Sequence, residues 1–275
     1  MTETLQDLVM AMADTWMAAI PRSVPDKTAL QRCRLVSHRG EHDGKLVREN
    51  TLQAFADASA AGVWGIECDI RWSADGQPVI CHDPDLQRVF GAQQRVAECT
   101  LAQLGGIAPD LPTLQALVAQ FGGRNHLMLE LKADSRGATL ARRQSLQQLL
   151  SPLEPGRDFH ILALDPALFE LVSFLPPSAC LPVAQTNTRK LSEVALQRGY
   201  AGLAGHYLLL GTDLQHRHQA VGQRVGSGFP TSSNCLWREI NRGMDWIFSN
   251  HAVALQRAIA ALLEDQNRNT PNRAA

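Results

Sequence analysis

The sequence predicts an α/β domain closed into a (β/α)8 barrel. Strand-like and helix-like segments alternate from Cys33 to the end of the chain, which suits parallel pairing with right-handed crossovers. Nine strand candidates can be read. One of them, Pro78–His82, follows its predecessor across a turn too short for a helix, so eight strands with following helices remain. The chain has 275 residues, and barrels of this kind commonly fill about 250 residues as one domain. A doubly wound open sheet is the alternative, but no glycine-rich dinucleotide or P-loop fingerprint is present.

Each element has a local reason. Leu5, Leu8, Val9, Met12, Trp16 and Ile20 recur at helical spacing, and Pro21 and Pro25 end the pattern. Residues 1–32 are therefore expected to be a helical extension packed on the barrel; their acidic polar face disfavours a membrane helix. Cys33–His38 reads as the first strand and 41–49 as a polar loop. Asn50 or Thr51 can cap a helix carrying Leu52, Phe55 and Ala56, which Gly62 ends. Gly65–Arg71 is the second strand. Ser73-Ala74-Asp75-Gly76 is a turn signal that folds Pro78–His82 back as a hairpin arm. Residues 84–111 read as an irregular insertion with a short helix after Thr100. Alternation then resumes with helix 113–121, strand 126–132, helix 138–151 and strand 159–164. Helix 166–174, strand 181–184, helix 189–198, strand 201–204 and helix 212–222 follow. Strand 224–229, helix 233–242, strand 244–248 and helix 252–264 complete the series, before a polar tail (266–275) expected to be disordered.

Composition narrows the function. Lys plus Arg number 26 against 27 Asp plus Glu, so no basic bias points to nucleic acid or anionic lipid. The six cysteines form no CxxC pair and read as buried thiols of a reducing compartment. The first twenty residues hold no Lys or Arg, unlike a signal peptide, and no stretch is long enough to span a membrane. These features give the expectation of a soluble cytoplasmic protein, and they do not reveal its oligomeric state.

The chemistry gathers around Gly65-Ile66-Glu67-Cys68-Asp69-Ile70-Arg71. Side chains alternate along a strand, so Glu67, Asp69 and Arg71 share one face. An edge strand with one wet face would explain this stretch taken alone. Two carboxylates on one rigid strand are also half of a hard-cation site. Barrel active sites lie at the C-terminal ends of the strands. There the sequence places His38 and Arg39, Glu67 and Asp69, His82, and Glu130 with Lys132.

At these residues the chain resembles the glycerophosphodiester phosphodiesterase family. The resemblance is carried, in order, by Val36-Ser37-His38-Arg39-Gly40, Glu49-Asn50-Thr51, Gly65 to Arg71, Asp75-Gly76 with Pro78-Val79 and His82-Asp83, Pro112-Thr113-Leu114, and Leu129-Glu130-Leu131-Lys132. Gly243 to Asn250 resembles the family's last strand, so the likeness covers about residues 34–251. It implies a TIM barrel with an insertion after the His-Asp strand. It also implies a phosphoric diester hydrolase that cleaves glycerophosphodiesters to an alcohol and glycerol 3-phosphate with one divalent cation, Mg²⁺ or Ca²⁺. His38 and His82 resemble the catalytic pair, Glu67, Asp69 and Glu130 the metal ligands, and Arg39 a phosphate contact. Lys132 lies beside the site. The chain departs from the family pattern in three places. Arg48 stands where proline is usual. Phe229 takes the place of a pocket-lining tryptophan. Ala163-Leu164-Asp165 lacks a hydroxyl found in the family.

The residue types suit that reaction independently. Three carboxylates fit an oxygen-preferring cation, Arg39 a two-point phosphate grip, and two imidazoles the acid and base tasks, with the assignment of each open. The attacking oxygen can be water or the substrate's own glycerol hydroxyl, through a cyclic phosphate. Arg71 is read as a counter-ion of Glu49 or Asp69, Lys132 as a possible ion-pair partner of Glu130 or Asp69, and His42, His206, His216 and His218 as solvated residues, His206 being able to face the site. A lysophospholipase D-type activity is the nearest rival. A Schiff-base aldolase using Lys132 and a non-catalytic phosphodiester-binding barrel are more distant ones.

Overall fold

The computed structural model describes the backbone of residues 5–268, and side chains from residue 12 onward. Its strands are β1 (Leu35–His38), β2 (Gly65–Trp72), β3 (Pro78–Ile80), β4 (His126–Leu131), β5 (Phe159–Ala163), β6 (Cys180–Ala184), β7 (Gly202–His206), β8 (Arg224–Gly228) and β9 (Trp246–Ser249). Neighbours run β1-β9-β8-β7-β6-β5-β4-β2, and β1 also pairs with β2, which closes a barrel of eight parallel strands. Among the described strands only β3 is antiparallel, a hairpin arm on β2. The Asp75-Gly76 turn makes the hairpin, with Gly76 at φ 75° where a side chain would be strained.

Alternation along the strands divides the core in two. Val36, Met128, Leu162, Leu181, Ala204, Trp246 and Phe248 form one cluster inside the barrel. Residues one step away, such as Leu35, Ile66, Cys68, Leu129 and Ile247, pack outward under the helices. The N-cap at Thr51 named from sequence is present, its side chain accepting the Ala54 N–H, and Thr113 caps the next long helix in the same way through the Ala116 N–H. All six cysteines are free, five of them buried. No helix among the described residues is long and apolar enough to cross a membrane.

The insertion is more ordered than its irregular sequence suggests. It holds helices Gln87–Phe90 and Leu101–Ile107, the latter started by a Thr100–Gln103 capping box. Its own core of Leu86, Val96, Cys99, Leu104 and Ala108 packs on Val79 and Cys81 of the hairpin arm.

Four expectations need correction. The helix Leu5–Ala19 does not bury the stripe through Met12 and Trp16, which are 66% and 67% exposed. Met17 packs instead against Tyr207 and Cys235, because the Tyr207 hydroxyl donates to Asp14 and Asn234 holds the Ala18 carbonyl. The side chains of Leu5, Leu8 and Val9 lie outside the described ones. Residues 166–172 form a 3-10 helix rather than an α-helix: Pro166 starts it and Pro176 and Pro177 lie just beyond. His218 is not solvated; it is fully buried, bonded to Ser192 and Gln223. The last helix continues through Arg268, into the segment read as tail; residues 269–275 lie outside the described ones.

The barrel floor is aromatic and imidazole-rich. His126 Nδ1 donates to the Arg157 carbonyl at 2.9 Å, which leaves its Nε2 to accept from His160 Nδ1 at 2.7 Å. Trp64 stacks on His126 and Trp246 meets His160 edge-on. Burial pushes the two imidazoles down, to about 4 and about 3, with Arg34 and Arg224 adding to the effect. Both are therefore neutral in the fold, whereas the unfolded chain protonates them below its ordinary value of 6.5. Unfolding then takes up protons. This part of the stability is complete above pH 6.5 and is lost as pH falls from 6.5 toward 4. The slope is at most about 1.4 kcal/mol per pH unit for each group. Urea unfolding between pH 7.5 and 4.5 should show this fall, and a His126→Gln, His160→Gln double variant should flatten it.

Candidate active site

The site is set by strand register. β1 and β2 align His38 with Glu67, and β2 and β4 align Asp69 with Glu130. Paired positions on neighbouring strands lie about 5 Å apart, so the inward carboxylates must meet. Ligand atoms of Glu67, Asp69 and Glu130 lie within 4.8 Å of one another, and all three residues are buried. Glu67 Oε1 is buried and accepts no hydrogen bond. Burial and the charges of Asp69 and Glu130 push the Glu67 carboxyl well above its ordinary range. Burial also raises Glu130, against the pull of Lys132. Asp69, although buried, is held below the usual range by Lys132 and Arg39. Three buried carboxylates, with Glu67 Oε1 lacking any hydrogen bond, fit an oxygen-preferring divalent cation.

The cations around them are fixed. Lys132 Nζ lies 2.8 Å from Asp69 Oδ1 and 2.5 Å from Glu130 Oε1. Lys132 thus pairs with both carboxylates named for it, and they keep its ammonium charged although burial works the other way. Arg39 spans from Asp69 Oδ2 (3.3 Å) to Glu49 Oε1 (3.1 Å). Its backbone is left-handed, φ 61°, as is that of Asn50, φ 56°. Such conformations are costly for residues with a Cβ and collect at functional sites. Here they are held by Arg39 N–H bonds to Glu67, by the Asn50 N–H to the Arg39 carbonyl, and by Asn50 Nδ2 donating to Asp69 Oδ2 at 2.8 Å. Gly40 follows at φ 80°, where a Cβ would sit 2.7 Å from Ala54.

Each histidine is oriented through Nδ1. His38 Nδ1 donates to Asn250 Oδ1 at 2.6 Å, and His82 Nδ1 to Asp83 Oδ1 at 2.7 Å. This leaves both Nε2 atoms free; that of His38 lies 3.6 Å from Glu67. Burial and Arg39 lower His38 to about 4, partly offset by Asn250. Burial also lowers His82, against the pull of Asp69 and Asp83.

One cavity of about 520 Å³ collects His38, Arg39, Glu67, His82, Glu130, Lys132 and Phe229. Phe229 lies against the His38 ring, with centroids 4.7 Å apart. His206 also lines this cavity rather than a solvated loop; its Nε2 is 3.7 Å from Asp14. Leu164 and Leu209 form an apolar part of the wall. Arg71 is not the counter-ion of Glu49. It donates to the His82 carbonyl at 2.8 Å, while Arg39 and Arg88 hold Glu49. Sequence reasoning missed Asn50, Asp83 and Asn250 as site residues, although each stands inside a quoted motif. Arg88 had no such signal.

Comparisons with known proteins bear on the family and the fold. The sequence profile described as the Glycerophosphoryl diester phosphodiesterase family matches residues 38–145. Glycerophosphodiester phosphodiesterase 1 from Bos taurus is 30% identical over 137 residues, 42% of this chain and 40% of that protein. Glycerophosphodiester phosphodiesterase from Caldanaerobacter subterraneus subsp. tengcongensis is 32% identical over 111 residues, 36% of this chain and 45% of that protein. These matches therefore span less than half the length of those relatives. The fold is similar to that of the glycerophosphodiester phosphodiesterase of Thermotoga maritima: TM-score 0.68, 20% identity, 82% of this chain and 98% of that one. It is also similar to an Oleispira antarctica phosphodiesterase solved with the product sn-glycerol-3-phosphate: TM-score 0.67, 23% identity, 84% of this chain and 99% of that one.

The crowding of carboxylates has a measurable consequence. Glu67→Gln removes a buried, like-charged group while keeping its shape. In EDTA it should raise the unfolding midpoint, by about 1 kcal/mol of stability, as read by differential scanning calorimetry. A lower midpoint would contradict this account of the site's electrostatics.

Proposed function

We propose that the chain is a member of the glycerophosphoryl diester phosphodiesterase family, whose profile matches residues 38–145, and that it hydrolyses glycerophosphodiesters to an alcohol and sn-glycerol 3-phosphate. One divalent cation, Mg²⁺ or Ca²⁺, and two histidines would support the reaction. The observation that carries the reading is the meeting of Glu67, Asp69 and Glu130 with His38, His82 and Arg39 in one cavity.

Glu67, Asp69 and Glu130 would hold the cation. Its chemistry when bound is to offset charge growing on the phosphoryl oxygens. Arg39 is pinned by Glu49 and Asp69 and presents a planar guanidinium to the same phosphate. Lys132 adds a second fixed positive charge to the cavity. With both Nδ1 protons committed to Asn250 and Asp83, each Nε2 is the atom left for chemistry. One imidazole takes the proton from the attacking oxygen, which is water or the glycerol hydroxyl. The other gives a proton to the departing alkoxide as its bond to phosphorus breaks. Phe229, packed on His38, shields that ring from bulk water.

A lysophospholipase D-type activity is the second reading. The observation favouring it is the apolar wall at the cavity mouth, where Leu164 and Leu209 are 39% and 37% exposed. A Schiff-base role for Lys132 is disfavoured, because Asp69 and Glu130 stabilise its charged, non-nucleophilic form.

The test is release of sn-glycerol 3-phosphate from glycerophosphocholine and glycerophosphoethanolamine in Mg²⁺, Ca²⁺ or EDTA, with lysophosphatidylcholine alongside. Turnover should require the cation and fall about 10²- to 10⁴-fold in His38→Ala and in His82→Ala. Undiminished turnover in EDTA, or in both variants, would sink the assignment. Faster turnover of the lysolipid would favour the second reading.

A further inference from the structure

We propose that Arg88, in the insertion after β3, is a positioning residue that sets the His82 imidazole and the Arg39 guanidinium in one common frame. The inference rests on the roles given above to His82 and Arg39. Its geometry is a fork with three prongs. Arg88 Nη1 and Nη2 donate to Glu49 Oε2 and Oε1, each at 2.7 Å. Arg88 Nε donates to Asp83 Oδ2 at 2.6 Å. Each acceptor passes the constraint on. Asp83 uses its other oxygen, Oδ1, to accept from His82 Nδ1 at 2.7 Å. Glu49 Oε1 accepts from Arg39 Nη1 at 3.1 Å. Arg88 touches neither the cavity nor the reacting atoms, yet both groups are oriented through it.

A plain surface ion pair does not account for this arrangement. Such pairs contribute little and hold no fixed geometry. Here Glu49 is buried and gripped in the bidentate manner that only a guanidinium can provide. Hydrogen bonds from Arg88 and His82 keep the Asp83 carboxyl below its ordinary range, although burial works the other way. Asp83 therefore stays an acceptor, and the His82 proton stays on Nδ1 with Nε2 free. The insertion does not need Arg88 to fold. Its core of Leu86, Val96 and Leu104 is fully buried, whereas the Arg88 side chain is 39% exposed. Removing the fork should disturb alignment more than stability.

The experiment compares wild type, Arg88→Ala, Arg88→Lys, Asp83→Asn and Asp83→Asn/Arg88→Ala on glycerophosphocholine at saturating cation. The ¹⁵N shifts of the His82 ring, assigned with His82→Gln, are recorded in parallel. In Arg88→Ala the expected result is a kcat about 10- to 100-fold lower, a KM several-fold higher and a thermal midpoint within a few degrees of wild type. Lysine, a point charge, should restore less than half of the lost kcat. Adding Arg88→Ala to Asp83→Asn should leave kcat unchanged and still raise KM, because the histidine arm is already cut while the arginine arm is not. The His82 shifts should move from a single Nδ1–H tautomer toward a mixture. An unchanged kcat and KM in Arg88→Ala would overturn the proposal, as would losses that multiply fully in the double variant. If wild type turned over no glycerophosphodiester, the functional reading would fail alone. The His82 ring shifts would still decide the positioning claim, with identical shifts in wild type and Arg88→Ala overturning it.

Discussion

Three carboxylates buried on adjacent strands are the constraint around which this molecule is arranged. At separations under 4.8 Å, like charges repel by roughly 3 kcal/mol per pair at an effective dielectric of about 20. A fold stable by only about 5–15 kcal/mol cannot carry that burden without compensation. The compensation is visible. Lys132 sits between Asp69 and Glu130, Arg39 reaches Asp69, and Asn50 donates to it. Glu67 Oε1 stays buried without a hydrogen bond, and Asp69 Oδ1 is met by the Lys132 ammonium. The set is tolerated, not neutralised, as expected of a place built to receive a cation.

The constraint spreads into the backbone. Arg39 and Asn50 both take left-handed conformations, and both sit where the loop after β1 must turn back over Glu67 and Asp69. The loop is then tied to the insertion by Glu49 with Arg88 and by Arg48 with Asp110 and the Val89 carbonyl. Arg48 so gains a structural role. The segments that diverge most from regular barrel pattern are the ones that hold Arg39 and His82 in place.

Much of this was legible in the sequence. Period-two charge on Glu67, Asp69 and Arg71, and the short Asp-Gly turn, gave away the central strand and its hairpin arm, since both signals are local. The barrel followed from counting strands. The inward carboxylates followed from alternation plus the strand-end rule, and the structure brings His38, Arg39, Glu67, Asp69, His82, Glu130, Lys132 and Phe229 together. What stayed hidden depends on contacts between residues far apart in the chain. Asn250 reaches His38 from 212 positions away, and Arg88 reaches Glu49 from 39. The Leu5–Ala19 helix shows the opposite error. Its spacing named a plausible apolar stripe through Met12 and Trp16, yet polar bonds from Asp14 and at Ala18 chose another face. His218 is another case: a histidine on a charged helix reads as solvated until Ser192 and Gln223 close around it.

The most direct test of the account is a crystal grown with Mn²⁺ and measured on both sides of the manganese absorption edge. The account predicts one strong anomalous peak in the barrel mouth, within bonding distance of carboxylate oxygens from Glu67, Asp69 and Glu130, and its loss in Glu67→Gln. Absence of a peak there at saturating Mn²⁺, or a peak held by other residues, would contradict the claim that these three side chains form the cation site.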